Sequence, residues 1–445
     1  MKTSAGVLGA FFSLLVPILH AQEGKADRFA FPSVEDEASL PGVGPLRRYE
    51  GLMKRWPEMR AKWAAEADQD RNAVVFLGDS ITQGWGTSLP KRFAGMKSAN
   101  RGIGGDTTRG MLVRLQEDVL SLEPEAVVLL MGTNDLEIGL EPAVAAENLK
   151  GILAAIKKHD PAVPVVLCQV FPSSPEKQRP KEKVQELNRL YADLVRGDAQ
   201  VTLLDTWTLF AGEDGEADPR WFKDLLHLNP AGYDRWAAAL RPVLATLGFL
   251  ETERVESVVE EGYVSLFNGK DLTGWGFRPT QPRKAPKNPK PDAPVFVEIA
   301  EAEFFDGKTE SSDGRYAAIN GRIVVKTPAE GRRIQQLWTR EEFGDDFILK
   351  LEFRATPNAD SGVFIRQPQL QCRDFPLAGP YKDLKNYKPQ DWNELVVEVR
   401  GGKARATCNG EVLEEAMEVP ATGPIGLEGD RGQMEYRHIR LKKLN

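Results

Sequence analysis

Four short segments hold residue types that could carry out acyl transfer if the fold brings them together: Gly78-Asp79-Ser80, Asn100-Arg101-Gly102-Ile103-Gly104-Gly105-Asp106, Gly132-Thr133-Asn134-Asp135 and Asp224-Leu225-Leu226-His227. A serine hydroxyl is a weak nucleophile until a base takes its proton. The chain has four histidines. His20 lies in an apolar leader, His159 closes an amphipathic helical pattern and His438 falls in the last strand-like run, which leaves His227 as the base for Ser80. Asp224, three residues earlier, can accept from the second ring nitrogen, fixing the tautomer and stabilising the imidazolium as it forms. Charge developing on a carbonyl oxygen then needs preorganised donors. The backbone N–H groups of Ser80 and Gly105 and the side-chain amide of Asn134 can supply them. Taken singly, Ser80 could start a helix, Gly104-Gly105 could be a turn, Asn134 a cap, and Asp224 with His227 a surface loop pair. Their conjunction, in this order, points to chemistry. No histidines and carboxylates group near Ser80 at ligand spacing, so the reading calls for neither metal nor cofactor.

These segments need a scaffold that gathers loops at one edge. Between residues 47 and 250 continuous apolar runs alternate with helical patterns, the rhythm of a parallel sheet wound with helices on both faces. Runs at 74–77, 126–131, 165–170 and 201–204 read as strands covered on both sides, and a weaker strand ends near Asn100. Three of the four segments directly follow such strands, where doubly wound sheets place their sites. Ala145, Leu149, Ile152, Leu153 and Ile156 recur at helical spacing. Asn229 is placed to cap a last helix whose first turn accepts Pro230 without losing a hydrogen bond.

At 445 residues the chain exceeds what one core normally serves, so two domains are expected. Hydrophobic residues at 41% and charged residues at 28% place it among globular proteins. A net charge of -7 without a clustered basic face argues against a nucleic-acid partner. Met1 and Lys2 precede a nearly apolar stretch at 7–19, shorter than the roughly 20 residues of a membrane span, and Ala21 suits signal peptidase. The expectation is a signal peptide at 1–21, no stable membrane span, and a secreted or periplasmic protein. Of three cysteines, Cys168 reads as a buried apolar residue in a strand. Cys372 and Cys408 fit either a disulfide bridge or two free thiols.

After an exposed segment at 22–45 and the α/β unit at 46–250, an acidic linker spans 251–262. Strand signals then dominate residues 263–445. Phe347, Leu349, Leu351 and Phe353 alternate with polar residues, Leu395, Val397 and Val399 repeat the pattern, and Asn320-Gly321 and Asn409-Gly410 read as tight hairpin turns. The expected architecture is an all-β antiparallel sandwich. Residues 278–294, rich in proline and basic side chains, read as an extended exposed insert.

The four segments resemble the blocks of the SGNH (GDSL-type) hydrolases over roughly residues 74–247, and Asn100-Arg101-Gly102-Ile103-Gly104-Gly105-Asp106-Thr107-Thr108-Arg109 is similar to the branch of the platelet-activating-factor acetylhydrolase catalytic subunits. The resemblance implies a flavodoxin-like sheet, a Ser80-His227-Asp224 triad, an oxyanion hole from Ser80, Gly105 and Asn134, and no metal. The absence of a Gly-x-Ser-x-Gly elbow separates the chain from the α/β-hydrolases. Leu266-Phe267-Asn268-Gly269-Lys270-Asp271-Leu272-Thr273-Gly274-Trp275, Asp360-Ser361-Gly362-Val363-Phe364-Ile365-Arg366 and Gly423-Pro424-Ile425-Gly426-Leu427 resemble the 3-keto-disaccharide hydrolase domain, a concanavalin-like sandwich. The chain departs from that family in its Pro-rich insert and at 369–375, where Cys372 and Arg373 stand. Together these readings imply an exported esterase that removes short acyl groups, with acetylated carbohydrate as the favoured substrate and a carbohydrate-binding sandwich in which Trp275, Trp338, Tyr381 and Trp392 are candidates for stacking on sugar. The competing readings are a second activity on 3-keto-glycosides, a lipid-ester hydrolase, and a non-catalytic glycan-binding protein.

Overall fold

The computed structural model describes residues 27–250, 259–280, 298–326, 335–374 and 379–444. The leader, most of the acidic linker and most of the Pro-rich insert lie outside the described residues. Strands β1 (Val74–Gly78), β2 (Ser98–Gly102), β3 (Ala126–Leu130), β4 (Val165–Cys168) and β5 (Val201–Leu204) form a parallel sheet in the order β2-β1-β3-β4-β5. This is the flavodoxin-like, doubly wound order. Both faces are covered, which explains the continuous apolar runs. Val75 and Leu77 pack into one core layer with Leu149, Ile152 and Tyr191, while Val74 and Phe76 pack into the other with Trp85, Trp236 and Leu240. Burying each such side chain contributes about 1.5–3 kcal/mol. β4 ends two residues before its apolar run does, because the side chain of Asn188 takes over Val170: Asn188 Oδ1 accepts its N–H at 2.7 Å and Nδ2 donates to its carbonyl at 2.9 Å.

The helices that bear on the site are α1 (Glu50–Ala65), α2 (Ser80–Gln83), α3 (Thr108–Asp118), α4 (Thr133–Glu137), α5 (Pro142–His159), α6 (Lys181–Val195) and α7 (Pro230–Thr246). α5 buries Ala145, Leu149, Ile152 and Ile156, the stripe expected from spacing. α7 begins as its sequence dictates. Asn229 is extended, its side chain accepts from Gly232 N at 2.9 Å, and Pro230 occupies the first turn. No helix among the described residues is long and apolar enough to cross a membrane.

The second half is antiparallel. One sheet runs β17 (Glu411–Glu418), β16 (Lys403–Cys408), β15 (Asn393–Arg400), β12 (Phe347–Ala355), β19 (Met434–Lys443), β10 (Arg322–Val325) and β9 (Tyr316–Ile319), with β6 (Val264–Ser265) also paired to β19. The other runs β14 (Gln369–Arg373), β13 (Asp360–Ile365), β18 (Ile425–Leu427), β11 (Leu337–Thr339), β7 (Trp275–Phe277) and β8 (Glu303–Phe304). Asn320-Gly321 joins β9 to β10 and Asn409-Gly410 joins β16 to β17, with φ of 48° and 79° in the first turn and 48° and 84° in the second. Both are two-residue turns of the kind that needs left-handed backbone. The inner faces of the sheets share one core holding Phe347, Leu349, Leu351, Phe353, Leu395, Val397 and Val399. Cys168, Cys372 and Cys408 are all free and buried. The possible Cys372–Cys408 bridge is therefore not formed.

Candidate active site

β1, β2 and β3 lie side by side, so the loops after them converge at one edge. Asp79 prepares Ser80: its Oδ1 accepts from Ile81 N at 2.8 Å, capping α2 and leaving Ser80 at the first helical position. Asn100 ties the β2 loop to the same turn, its Nδ2 donating to Thr82 O at 3.0 Å and its Oδ1 accepting from Gly102 N at 2.9 Å. Gln83 Oε1 accepts from Gly104 N at 2.8 Å. Gly105 has φ +87°, and a Cβ there would sit 2.2 Å from the Tyr49 hydroxyl, so only glycine presents this N–H here. The N–H groups of Ser80 and Gly105 have no partner among the described residues, as donors awaiting an oxyanion should.

Asn134 arrives on α4. The turn before it requires Gly132, at φ +110°, where a Cβ would meet Leu187 Cδ2 at 2.7 Å. Asn134 is 3% exposed, and its Nδ2 donates to Asp106 O at 2.8 Å. Asp135 holds the β2 loop from below, accepting from Thr108 N at 3.0 Å and Thr108 Oγ1 at 2.6 Å.

His227 reaches Ser80 from the loop before α7. Its Nε2 lies 2.9 Å from Ser80 Oγ and its Nδ1 2.8 Å from Asp224 Oδ2. With Nδ1–H donated to Asp224, Nε2 is left to accept the serine proton. The loop is fastened by Asp224 Oδ1, which accepts from His227 N at 2.7 Å, and by Leu225 in left-handed backbone at φ 61°. Partial burial pushes the Asp224 carboxyl up, but the bonds from the His227 ring and backbone outweigh this, leaving it below the ordinary aspartate range. Asp79 behaves oppositely. Burial lifts it to about 7, and its Oδ2 has no hydrogen-bond partner among the described residues.

The structure thus brings Ser80, Asp224, His227, Gly105 and Asn134 together. It adds residues that no local pattern announced. Arg114, fully buried, donates to Asp106 at 2.7 Å, Arg101 O at 2.9 Å and Gly78 O at 3.2 Å, stitching β1, β2 and α3 together. Arg47, Tyr49 and Arg55 come from the N-terminal side. Tyr49 Oη and Arg55 Nη1 donate to Gly104 O at 3.1 and 2.8 Å. Within the segment before them Val43 is tied to the domain: Asn148 Oδ1 accepts from Val43 N at 2.7 Å and its Nδ2 donates back to Val43 O at 3.0 Å.

The aromatic candidates of the sandwich separate into two groups. Trp275 and Tyr381 are 0% and 1% exposed, with Trp275 Nε1 donating to Leu266 O and Tyr381 Oη to Gln371 O, so neither presents a ring to sugar. They are core residues whose polar ends find backbone partners. Trp392 is half-buried between the guanidinium groups of Arg354 and Arg437, 4.8 and 3.9 Å from its ring. Trp338 lines a cleft of about 770 Å³ with Phe364, Gln336, Gln369, Arg366 and Glu428.

Residues 76–235 match the GDSL-like Lipase/Acylhydrolase family, and residues 262–442 match the 3-keto-alpha-glucoside-1,2-lyase-like domain. Platelet-activating factor acetylhydrolase IB subunit alpha1 of Rattus norvegicus is 29% identical over 216 residues, 48% of this chain and 91% of that protein. The alpha2 subunit of Homo sapiens is 28% identical over 196 residues, 43% and 85% of the two chains. Among solved structures, a GDSL-like lipase from Bacteroides thetaiotaomicron shares 25% identity with a TM-score of 0.38, covering 42% of this chain and 97% of its own. The first half is thus a GDSL-like acylhydrolase domain resembling platelet-activating-factor acetylhydrolase. The chain is a hydrolase in which this domain is joined to a 3-keto-disaccharide hydrolase-like domain at its C-terminus.

Proposed function

We propose that the protein is an exported serine esterase that removes short acyl groups, chiefly acetyl, from carbohydrate, and that its sandwich holds the polymer. The carrying observation is the continuous Asp224–His227–Ser80 relay at 2.8 and 2.9 Å, set beside the unpartnered N–H groups of Ser80 and Gly105. His227 Nε2 takes the proton as Ser80 Oγ bonds to the carbonyl carbon. The oxyanion receives hydrogen bonds from Ser80 N, Gly105 N and Asn134 Nδ2. Collapse breaks the ester C–O bond, and His227 returns the proton to the leaving alcohol. Water then repeats the sequence on the acyl-serine, releasing the acid and regenerating Ser80.

Acetyl preference is supported by the name of the acetylhydrolase relatives. Carbohydrate is supported by the C-terminal match and by the Trp338 cleft, which offers an aromatic face beside hydrogen-bonding amides and Glu428. Gln336 Nε2 donates to Glu428 Oε1 at 2.7 Å and Gln369 Nε2 to the other oxygen, which orients both amides. Export rests on the apolar leader, and mature protein should begin at Gln22. The deciding experiment compares acetylated xylan, aryl esters of increasing acyl length and lysophospholipid. Acetyl esters should be the fastest, and polymeric substrate should outperform the lipid. Faster turnover of lysophospholipid would overturn the carbohydrate assignment.

A further inference from the structure

An oxyanion-hole asparagine works only with its amide nitrogen toward the substrate, although the flipped side chain has almost the same shape. The surroundings of Asn134 settle the orientation. Its Oδ1 accepts from Arg47 Nη1 and from Arg179 Nη2, both at 3.1 Å, while one Nδ2–H is given to Asp106 O at 2.8 Å. Flipping would set the amide N–H groups against two guanidinium groups and two carbonyl-type oxygens against each other. Guanidinium has no acceptor and stays protonated in proteins, so no accessible pH releases this lock. The second Nδ2–H remains for the substrate.

The two arginines are themselves fixed. Glu137, one turn beyond Asn134 on α4, takes Arg47 Nη2 at 2.6 Å and Arg179 Nη2 at 2.8 Å. Arg179 Nε also donates to Thr133 O at 3.0 Å and Thr133 Oγ1 at 2.9 Å. Arg179 comes from the connection between β4 and α6. Arg47 comes from the N-terminal segment, ahead of the matched region at 76–235.

We propose that Arg47 and Arg179 are positioning residues for catalysis: they lock the carboxamide of Asn134 and, by drawing electron density onto its oxygen, strengthen the N–H offered to the oxyanion. Charge-assisted bonds are the stronger kind, and bonds in series polarise one another. The N-terminal segment is therefore part of the catalytic unit. This inference rests on the reading of Asn134 given above.

The test uses the full chain and an aryl acetate, with kcat and KM measured separately for Arg47→Ala, Arg47→Lys, Asn134→Ala and the Arg47→Ala/Asn134→Ala pair. Arg179→Lys replaces truncation at Arg179, which is 3% exposed and also anchors Thr133. Arg47→Ala should lower kcat about tenfold with KM within about twofold, since only a transition-state interaction is weakened. Arg47→Lys should recover part of the loss, while thermal stability stays close to that of the parent chain. In the Asn134→Ala background the Arg47 effect should shrink to the little that its longer 3.4 Å contact with Gly105 O carries, because it acts chiefly through the Asn134 side chain. The same tenfold loss in both backgrounds, or no loss of kcat from Arg47→Ala, would overturn the proposal. An unimpaired Asn134→Ala protein would instead overturn the oxyanion reading on which it rests.

Discussion

The two halves of the molecule place polar groups by different geometries. In the parallel sheet the strands themselves are apolar and the working residues stand just beyond their ends: Ser80 after β1, Gly105 after β2 and Asn134 after β3. The sandwich instead presents side chains from the face of a sheet, with Trp338 on β11, Phe364 on β13 and Gln369 on β14 bordering one cleft. The first arrangement collects backbone N–H groups, a nucleophile and a base around a point. The second offers an aromatic face and oriented amides, and its one histidine, His438, lies 3.4 Å from Glu352, both on the sheet that does not border the cleft. The proposed function accordingly gives chemistry to the first half and recognition to the second.

The largest effect should come from breaking the relay. Ser80→Ala and His227→Ala should each lower kcat about 10⁵- to 10⁶-fold and leave the fold intact, because triad members act as a unit. Either variant retaining parent-level turnover would erase the contrast between the halves. Asn134→Ala should cost about 10²- to 10³-fold, as loss of one oxyanion donor does, read in kcat on an aryl acetate. Trp338→Ala should leave that small-ester turnover unchanged and weaken binding to acetylated polysaccharide by about tenfold, measured by affinity electrophoresis or calorimetry. A matching loss on the aryl ester would show that the sandwich shares in the chemistry.

The smallest effect concerns pH. Both halves hold a buried carboxyl raised by burial, Asp79 to about 7 and Asp374 to about 8. A raised folded-state pKa stabilises the fold most below the ordinary aspartate range near 4, and the contribution is lost as pH climbs through the folded value. Urea midpoints should therefore fall between pH 5 and pH 8. Asp79→Asn, which keeps an acceptor for Ile81 N, should flatten part of that slope. A slope identical to the parent's would show that Asp79 does not titrate there.

Sequence showed most of the catalytic scaffold because strands buried on both faces must be continuously apolar, and because each catalytic residue sits in a short block next to such a strand. The hairpins were legible through Asn-Gly, which supplies two left-handed residues cheaply. Arg47 and Arg179 were not, since they meet Asn134 across 87 and 45 residues of chain and no spacing marks either. Trp275 and Tyr381 read two ways in the sequence for a related reason: an aromatic ring with a polar tip suits a core with a nearby carbonyl as well as it suits a sugar. Only burial tells the two uses apart, and burial is a property of the assembled sheets.

The central claim, that Ser80 is activated by His227 and carries the acyl group, is open to direct measurement by labelling the full chain with a fluorophosphonate and locating the adduct by peptide mass spectrometry. One phosphonyl group should appear on Ser80, activity should be lost in proportion to labelling, and His227→Ala should carry no adduct over the same interval. Labelling elsewhere in the chain with activity lost, or full turnover by protein modified at Ser80, would contradict it.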